Sequence, residues 1–390
     1  MASPRRVCVM TGTRADYGHL FWLLKEIDAD PDLELQLVVT GAHLSAKWGN
    51  TVETIERDGL PIAARVPFDL SDDSPLAIAD SLAHSTSGLA HAFDRLKPDV
   101  IVVLGDRYEV LAAAQASLML GIPLAHLHGG ETTEGAFDEA IRHAVTKMAH
   151  LHFVAADEYA WRVRQLGESD EHVFNFGAPG LDHLARSAIA GRDELEGVIG
   201  APLGSPLFAV TYHPETLDAD EGIGGLRAML AALAGVTNAS IVFTGVNADP
   251  GHDDLSNEIH AFVDAQRSRR HLIASLGQSR YLGLLAIADA VVGNSSSGLI
   301  EAPALRVPTV NIGDRQKGRL RAASVIDCAP TKEAIDAALR KAIDPQFRAH
   351  LPENPSLYGV GDAARRIKDV LKTADLRGIT KKHFVNRKMS

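Results

Sequence analysis

The stretch DVIVVLGDRYEVLAAAQASLML, residues 99–120, decides the fold. It begins with a near-continuous apolar run, passes through the polar turn GDRYE and continues as a helical pattern from Val110 to Leu120. An apolar run of this kind is typical of a strand that is covered on both faces, as in a parallel sheet. The stretch therefore predicts one strand–turn–helix unit of an α/β protein.

The same alternation recurs along the whole chain. Predicted strands of the first half lie in RVCVM, LQLVVTG, DVIVVLG, IPLAHLHGG, LHFVAA and VFNFG, and those of the second half in LFAVTYH, SIVFTG, HLIASL, AVVGNSS and TVNIG. Helical patterns lie between them, and this alternation predicts parallel sheets. With the Gly- and Pro-rich segment 197–207 as linker, the sequence predicts two Rossmann-like domains, over residues 1–185 and 200–365, with a cleft between them.

Composition narrows the class of protein. The chain has 390 residues, 46% of them hydrophobic, which fits two globular domains. Its net charge of −11 argues against a nucleic-acid partner, and the only basic stretch is the tail KKHFVNRK. Cys8 and Cys328 lie in or beside apolar runs and are predicted to be buried thiols. The apolar run near the N-terminus is too short for a signal peptide or a membrane span, so we expect a cytoplasmic protein with no membrane partner.

Polar residues follow one predicted strand after another, at the sheet edge where α/β proteins bind ligands. In GTRADYGHL, Arg14 and Asp16 stand where the dinucleotide fingerprint needs small residues, which disfavours a nicotinamide dehydrogenase. Arg14 opens a predicted helix and is a candidate phosphate ligand. A surface salt bridge is the alternative interpretation.

Two motifs of the first half carry candidate acid–base residues. Asp106 and Arg107 follow the most apolar strand, where a carboxylate either transfers protons or caps the next helix. In HLHGGETTEGAFDEAIRH, His126 and His128 alternate on a predicted strand and are expected to share a face. Further polar residues follow them: Glu131, Glu134, Asp138, Arg142 and His143.

This second motif has three interpretations. A metal site is one, but no third histidine or cysteine stands at a convincing spacing, so we expect no metal. A capped amphipathic helix is another, in which Asp138 and Arg142 pair at positions i and i+4. Proton transfer to a sugar is the third, since carboxylates and histidines suit that chemistry and the glycines let the backbone approach a ligand.

The second half carries a candidate nucleotide site. In GNSSSGLIEAP, the hydroxyls of Ser295, Ser296 and Ser297 and the N–H groups of a following helix are predicted to bind phosphate. Glu301 is placed to accept a sugar diol, or is a glutamate favoured by the helix dipole. The basic loop GDRQKGR follows, and His213 stands just past a strand in TYHPET, where histidines are more often structural.

These motifs resemble the hydrolysing UDP-N-acetylglucosamine 2-epimerases of bacterial sialic-acid and legionaminic-acid synthesis. The resemblance rests on TGTRADYG, LGDRYE, HGGETTEGAFDEAIRHAVTKMAHLHFV, GAPGLD, GNSSSGLIEAP and NIGDRQKGR and spans roughly residues 5–370. It implies the glycosyltransferase-B arrangement of two Rossmann-like domains, with the active site in the interdomain cleft. It also implies that residues 355–390 form a last helix that crosses back to the first domain, followed by the basic tail.

The resemblance implies a reaction as well. UDP leaves the sugar to give a 2-acetamidoglucal, and water adds with inversion at C2, so that UDP-N-acetylglucosamine becomes N-acetylmannosamine and UDP. No cofactor or metal is implied, and the expected assembly is a homodimer or homotetramer. Three alternatives remain: the same reaction on UDP-N,N′-diacetylbacillosamine or GDP-N-acetylglucosamine, a glycosyltransferase, and a non-catalytic sugar-nucleotide sensor.

The resemblance assigns roles to individual residues. The expected catalytic residues are Asp106, Arg107, Glu131, Asp138 and His213. The expected UDP ligands are Arg14, His213, Asn247, Gly251, Leu276, Tyr281, Ser295, Ser296, Ser297, Glu301 and Arg315. Non-hydrolysing and animal-type relatives place a glutamate where this chain has His128, which leaves the role of Glu131 less secure than that of Asp106.

Overall fold

The computed structural model describes residues 3–72, 74–133, 137–213, 222–245, 252–274, 276–354 and 356–387. The chain forms two compact units. Unit 1 comprises Met1–Glu131, Phe137–Asp182 and Gly361–Ser390, and unit 2 comprises Thr132–Ala136 and His183–Val360. The Gly- and Pro-rich segment 197–207, which the sequence predicts to be the linker, lies inside unit 2.

Within its described residues, unit 1 is built on a seven-stranded parallel sheet. Its strands are β1 (Arg5–Thr11), β2 (Leu33–Thr40), β3 (Ile62–Val66), β4 (Val100–Leu104), β5 (Leu124–Leu127), β6 (Leu151–Val154) and β7 (Val173–Asn175). They lie in the order β3-β2-β1-β4-β5-β6-β7, and every pair is parallel. Strands β2 and β3 are added on one side of β1, and β4 to β7 are added on the other side. The order of strands therefore reverses between β1 and β4, and parallel sheets bind ligands at such a switch point.

Helices cover both faces of this sheet. They are α1 (Arg14–Asp28), α2 (Val52–Arg57), α3 (Pro75–Leu96), α4 (Tyr108–Leu120), α5 (Asp138–Met148), α6 (Asp157–Gln165) and, from the end of the chain, α15 (Ala363–Thr373). Val7 and Val9 of β1 pack with α1 and α15. Their neighbours Cys8 and Met10 pack on the other face with α3 and α4. Both faces are therefore buried, as the apolar runs predict.

Unit 2 repeats this architecture with six parallel strands in its described residues. The strands are β8 (Leu207–Thr211), β9 (Ser240–Thr244), β10 (Arg270–Ile273), β11 (Ala290–Gly293), β12 (Thr309–Ile312) and β13 (Val325–Cys328), in the order β10-β9-β8-β11-β12-β13. The helices are α7 (Asp182–Arg186), α8 (Arg192–Ile199), α9 (Ile223–Ala234), α10 (His252–Asp264), α11 (Gln278–Ile287), α12 (Glu301–Ala304), α13 (Lys332–Ala342) and α14 (Pro345–Ala349).

The helix α15 joins the end of the chain to unit 1. The buried carboxylate of Asp182 accepts hydrogen bonds from the backbone N–H groups of Ala363 and Ala364, at 3.0 and 2.9 Å, and so caps the helix from a distant part of the sequence. Ile367 and Leu371 of the same helix are fully buried in the core that α1 and β1 share. The last helix is therefore part of the core of unit 1.

The tail after α15 is fixed by charge as well as by packing. The buried carboxylate of Glu168 pairs with the Nζ atoms of Lys382 and Lys147, each at 2.6 Å, and with Nε2 of His152 at 3.0 Å. Arg387 pairs with Asp170 at 3.0 Å. The basic residues of this tail are thus partly neutralised by acidic residues of unit 1.

Among the described helices, none combines the length and the apolar character that a membrane span requires.

Candidate functional site

The carboxyl end of β4 places Asp106 on a turn that a histidine stabilises. His126 of β5 is fully buried, and its Nε2 donates to the carbonyl oxygen of Gly105 at 2.7 Å. Its Nδ1 lies 3.2 Å from Thr146 Oγ1. Burial lowers the pKa of His126 to about 3, so the ring is neutral near pH 7. His126 is therefore a structural residue that holds the backbone immediately before Asp106.

A buried arginine connects Asp106 with the next loop. Arg142 of α5 pairs through Nη2 with Asp106, and its Nη1 donates to the carbonyl oxygen of His128 at 2.9 Å. The side chain of Arg142 is 3% exposed and that of Asp106 is 19% exposed, so the ion pair is largely but not fully shielded from bulk water. Helical spacing predicts Asp138 beside this arginine. Asp138 is the first residue of α5 and is half-buried.

His128 and Glu131 form a buried pair. His128 Nδ1 lies 2.5 Å from Glu131 Oε1, and the two residues are 7% and 2% exposed. The strand β5 ends at Leu127, and His128 has a φ of +62°. The alternation that predicts a shared face for His126 and His128 therefore does not extend to His128.

The two glycines after His128 make this turn possible. Gly130 has a φ of +78°, and a Cβ there would lie 2.4 Å from the carbonyl oxygen of Tyr159. A Cβ on Gly129 would lie 3.0 Å from His126 Nδ1. The close approach of backbone to neighbouring atoms thus explains both glycines without any ligand.

Arg107 is held at the N-cap of α4. Its Nε donates to Glu109 Oε2 at 3.4 Å, and its guanidinium lies 5.2 Å from the centre of the Tyr108 ring. Burial raises the pKa of Glu109, and the charge of Arg107 opposes that rise. Glu109 is a residue that the sequence analysis does not single out, because a buried glutamate cannot be told from an exposed one by its position in a helix.

In unit 2, the carboxyl ends of β8 and β11 are locked together. Gly293 has a φ of +133°, and a Cβ there would lie 1.9 Å from the carbonyl oxygen of Thr211. The next residue, Asn294, accepts from the backbone N–H of His213 at 2.7 Å and donates to its carbonyl oxygen at 2.9 Å. The buried His213 is thereby fixed beside the serine loop.

The three serines begin a shorter helix than the sequence predicts. Ser295 caps a 3-10 turn, Ser296–Gly298, by accepting from the N–H of Ser297. The α-helix that follows, α12, has only four residues and begins at Glu301. Ser295 therefore caps this turn, and Glu301 is the first residue of a short helix and does not lie one and a half turns into a helix that the serines open. Gly298 packs under Thr309, where a Cβ would lie 2.6 Å from Thr309 Cγ2.

Hydroxyl groups and one carboxylate gather around Tyr281 of α11. Burial raises the pKa of Tyr281 to about 12, and interactions with the hydroxyls of Ser297 and Thr211 act in the opposite direction. The charge of Glu301 adds to the rise. Glu301 is 4% exposed and Leu276 is 7% exposed. Three predicted residues, Tyr281, Ser297 and Glu301, therefore lie in one region of unit 2. Leu276 belongs to the hydrophobic cluster against which Tyr281 packs.

The remaining predicted ligands are placed as follows. Arg315 donates through Nη1 to the carbonyl oxygen of Asn294 at 3.2 Å, and Gln316 donates to the same oxygen at 2.8 Å. Arg14 is exposed at the start of α1 in unit 1. Asn247 and Gly251 lie outside the described residues. Gln316 and Thr211 are missing from the predicted set because neutral side chains next to charged or apolar ones carry little signal.

Comparison with known proteins agrees with this architecture. A family model described as UDP-N-acetylglucosamine 2-epimerase matches residues 25–372. The chain is 38% identical, over 98% of its length and 100% of the relative's, to a GDP/UDP-N,N′-diacetylbacillosamine 2-epimerase (hydrolyzing) from Campylobacter jejuni. It is 37% identical, over 95% of both chains, to the polysialic acid biosynthesis protein P7 of Escherichia coli.

Solved structures share the fold. The UDP-GlcNAc 2-epimerase of Neisseria meningitidis bound to UDP-GlcNAc matches with a TM-score of 0.78 and 18% identity, over 94% of this chain and 99% of that chain. Both units of the present structure have the parallel α/β sheets of that fold. With the family model covering most of the sequence, the chain belongs to the UDP-N-acetylglucosamine 2-epimerase family.

Proposed function

We propose that the protein is a hydrolysing 2-epimerase that converts UDP-N-acetylglucosamine into N-acetylmannosamine and UDP. The observation that carries the proposal is the buried arrangement of Asp106, Arg142, His128 and Glu131, which brings acid–base groups together at the carboxyl end of a parallel sheet. Such an arrangement suits proton transfer at a sugar carbon.

The proposed reaction has two stages. In the first, the bond between C1 and the diphosphate oxygen breaks, its electron pair leaves with UDP, and a base removes the proton at C2 so that a C1=C2 double bond forms. In the second, water supplies a hydroxyl to C1, and C2 receives a proton on the face opposite to the one that lost it. The product is the free sugar with inverted configuration at C2.

Unit 2 is proposed to hold the nucleotide. Ser295, Ser296 and Arg315 lie on the loops after β11 and β12, where their donors suit a diphosphate. Glu301 suits the ribose diol, since an ionised carboxylate accepts two hydroxyl protons. Donors around the diphosphate would stabilise the charge that develops as UDP leaves.

A second candidate substrate is UDP-N,N′-diacetylbacillosamine or its GDP counterpart. The observation that favours it is the Campylobacter relative, which is named for its action on those nucleotide sugars and whose whole length the match covers. The two candidates differ at C4 and C6 of the sugar.

Incubation with UDP-N-acetylglucosamine, UDP-N,N′-diacetylbacillosamine and GDP-N-acetylglucosamine, with products read by NMR, tests the proposal. We expect N-acetylmannosamine and UDP from the first, without any acceptor molecule. If the protein turns over either of the other two nucleotide sugars faster, that sugar replaces UDP-N-acetylglucosamine as the proposed substrate. If UDP appears only when an acceptor sugar is added, the protein is a glycosyltransferase.

Ser296→Ala is expected to weaken UDP binding by roughly tenfold or more, because charge-assisted hydrogen bonds contribute about 1.5–3 kcal/mol. The melting temperature of the ligand-free protein should change little, since Ser295 and not Ser296 caps the 3-10 turn. Calorimetric titration with UDP and thermal unfolding measure the two effects. Ser295→Ala is the matched variant and should lower the melting temperature. If Ser296→Ala binds UDP as the wild type does, Ser296 is not a phosphate ligand.

Glu301→Ala is expected to weaken UDP affinity without abolishing it, because a hydrogen bond between a carboxylate and a ribose hydroxyl contributes about 1.5–3 kcal/mol. Affinity for 2′-deoxy-UDP should fall less, since that ligand lacks one of the hydroxyls. Titration of both nucleotides into Glu301→Ala and into the control Glu333→Ala, an exposed residue of α13, measures the difference. Equal losses for both nucleotides would argue against contact with the diol.

A further inference from the structure

We propose that His128 is the base that removes the C2 proton through its Nε2 atom, and that Glu131 is a positioning residue that holds the imidazole for this role. The inference rests on the proposed function, which supplies the substrate. It assigns to His128 the proton transfer that the resemblance to the family assigns to a carboxylate.

The hydrogen bond between the two residues fixes the histidine tautomer. His128 Nδ1 lies 2.5 Å from Glu131 Oε1. An ionised carboxylate can only accept a hydrogen bond, so in the neutral form of the ring the proton lies on Nδ1 and the lone pair on Nε2. This is the arrangement by which a buried carboxylate orients a histidine base in other active sites.

The other ring nitrogen of His128, Nε2, makes no hydrogen bond to the described residues. This atom is also buried. Buried polar atoms are rarely left in this state, and each case needs an explanation. In His126, two residues earlier, Nε2 donates to Gly105 and Nδ1 meets Thr146. His126 and His128 therefore have different roles, and of these two residues only His128 keeps a ring nitrogen without a hydrogen-bond partner.

The backbone holds His128 in an uncommon conformation. A φ of +62° is costly for a residue with a side chain, and such strain concentrates at functional sites. Two hydrogen bonds maintain it: His128 N–H donates to the carbonyl oxygen of Phe153 at 3.0 Å, and Arg142 donates to the carbonyl oxygen of His128 at 2.9 Å. Because Arg142 also pairs with Asp106, one guanidinium positions both residues.

The proton transfer balances as follows. The electron pair of the C2–H bond becomes the C1=C2 double bond, the pair of the C1–O bond leaves with UDP, and the proton goes to Nε2. Glu131 stabilises the imidazolium that forms, and the proton passes to water after UDP departs. Besides Glu131, the charged or titratable groups near the ring among the described residues include Arg142, His126 and His19, whose ring centre lies 6.0 Å away.

His128→Gly offers a direct test, because glycine adopts the positive φ without strain and leaves a space for free imidazole. We expect the variant to release UDP at least about 10²-fold more slowly than the wild type, with unchanged UDP affinity. Added imidazole should raise the rate of UDP release by the variant at least roughly tenfold. The matched control is Asp106→Asn, whose activity imidazole should not restore. A variant that imidazole leaves as slow as before overturns the proposal.

Glu131→Gln separates the two possible bases. The amide oxygen of glutamine still accepts from Nδ1–H, so this variant should lose less activity than His128→Gly. A larger loss in Glu131→Gln would make Glu131 the base. Nitrogen-15 NMR of the histidine rings is a readout that needs no substrate: the His128 proton is expected on Nδ1, and a proton found on Nε2 contradicts the inference. If the wild type turns over no nucleotide sugar, the proposed function fails, while the NMR result still decides the tautomer.

Discussion

Asp106→Asn is expected to lower the rate of UDP release by about 10²–10⁴-fold, the usual cost of losing a general acid or base. Asparagine keeps the shape of aspartate and still accepts a hydrogen bond from Arg142, but it cannot take up or release a proton at neutral pH. UDP affinity should remain nearly unchanged, because Asp106 belongs to unit 1 and the proposed diphosphate ligands Ser295 and Ser296 belong to unit 2.

Steady-state kinetics and calorimetric titration with UDP measure these two effects. The substitution also leaves the buried charge of Arg142 without its counter-ion. Thermal unfolding of the variant therefore has to be measured alongside, so that loss of fold is not mistaken for loss of chemistry. Asp80→Asn, at an exposed position of α3, is the control for a substitution of the same type. Turnover at the wild-type rate in Asp106→Asn would remove Asp106 from the proposed mechanism.

Glu168→Ala is expected to reduce the free energy of unfolding by about 3–5 kcal/mol, the cost of removing one partner of a buried ion pair. Glu168 is 3% exposed and is the common acceptor for His152, Lys147 and Lys382. Without it, Lys382 loses the carboxylate that fixes the tail. Denaturant unfolding measures the change, and Glu171→Ala, at an exposed position three residues later, is the control. A change no larger than that of the control would mean that packing alone holds the tail.

The contribution of the Glu168 carboxylate to the free energy of unfolding is expected to depend on pH. Burial opposes the ionisation of Glu168, but hydrogen bonds from His152 and the two lysines outweigh it and lower its pKa from 4.5 to about 2. Because the folded pKa lies below the unfolded one, the stabilisation is complete above the unfolded value and is lost as the pH falls through the folded value. The difference in unfolding free energy between wild type and Glu168→Ala should therefore shrink between about pH 4.5 and pH 2.

Most of the strands that the sequence predicts are buried on both faces, although the partly buried edge strands β7 and β10 are predicted as well. The apolar runs of the buried strands are unbroken, as in β4 and β8, whose residues are nearly all buried. The strands β3 and β13 are not predicted. They lie at edges of the two sheets, and their residues alternate between buried and exposed positions or are only half-buried. In β3 and β13 the apolar pattern is too weak to separate the strand from a loop.

The candidate site is predicted as a set of residues but not as a set of contacts. The sequence places Arg142 beside Asp138 by helical spacing, whereas the fold also brings it to Asp106, which lies 36 positions earlier in the chain. Local periodicity cannot reveal such a contact, because it depends on the order of β4 and β5 in the sheet. The positive φ of His128 is not predicted either, since most histidines have a negative φ although histidine adopts a positive one more often than most residues do.

The return of the chain to unit 1 has a consequence for biosynthesis. Residues 183–360, which contain all six strands of the second sheet, leave the ribosome before α15 does. Until then, Leu20 and Leu24 of α1 lack the side chains of Ile367 and Leu371 that cover them in the finished protein. Unit 1 begins synthesis first and is completed last. A nascent chain interrupted anywhere before Gly361 therefore carries an open hydrophobic face near its N-terminus, and such a face is a binding site for chaperones and a starting point for aggregation.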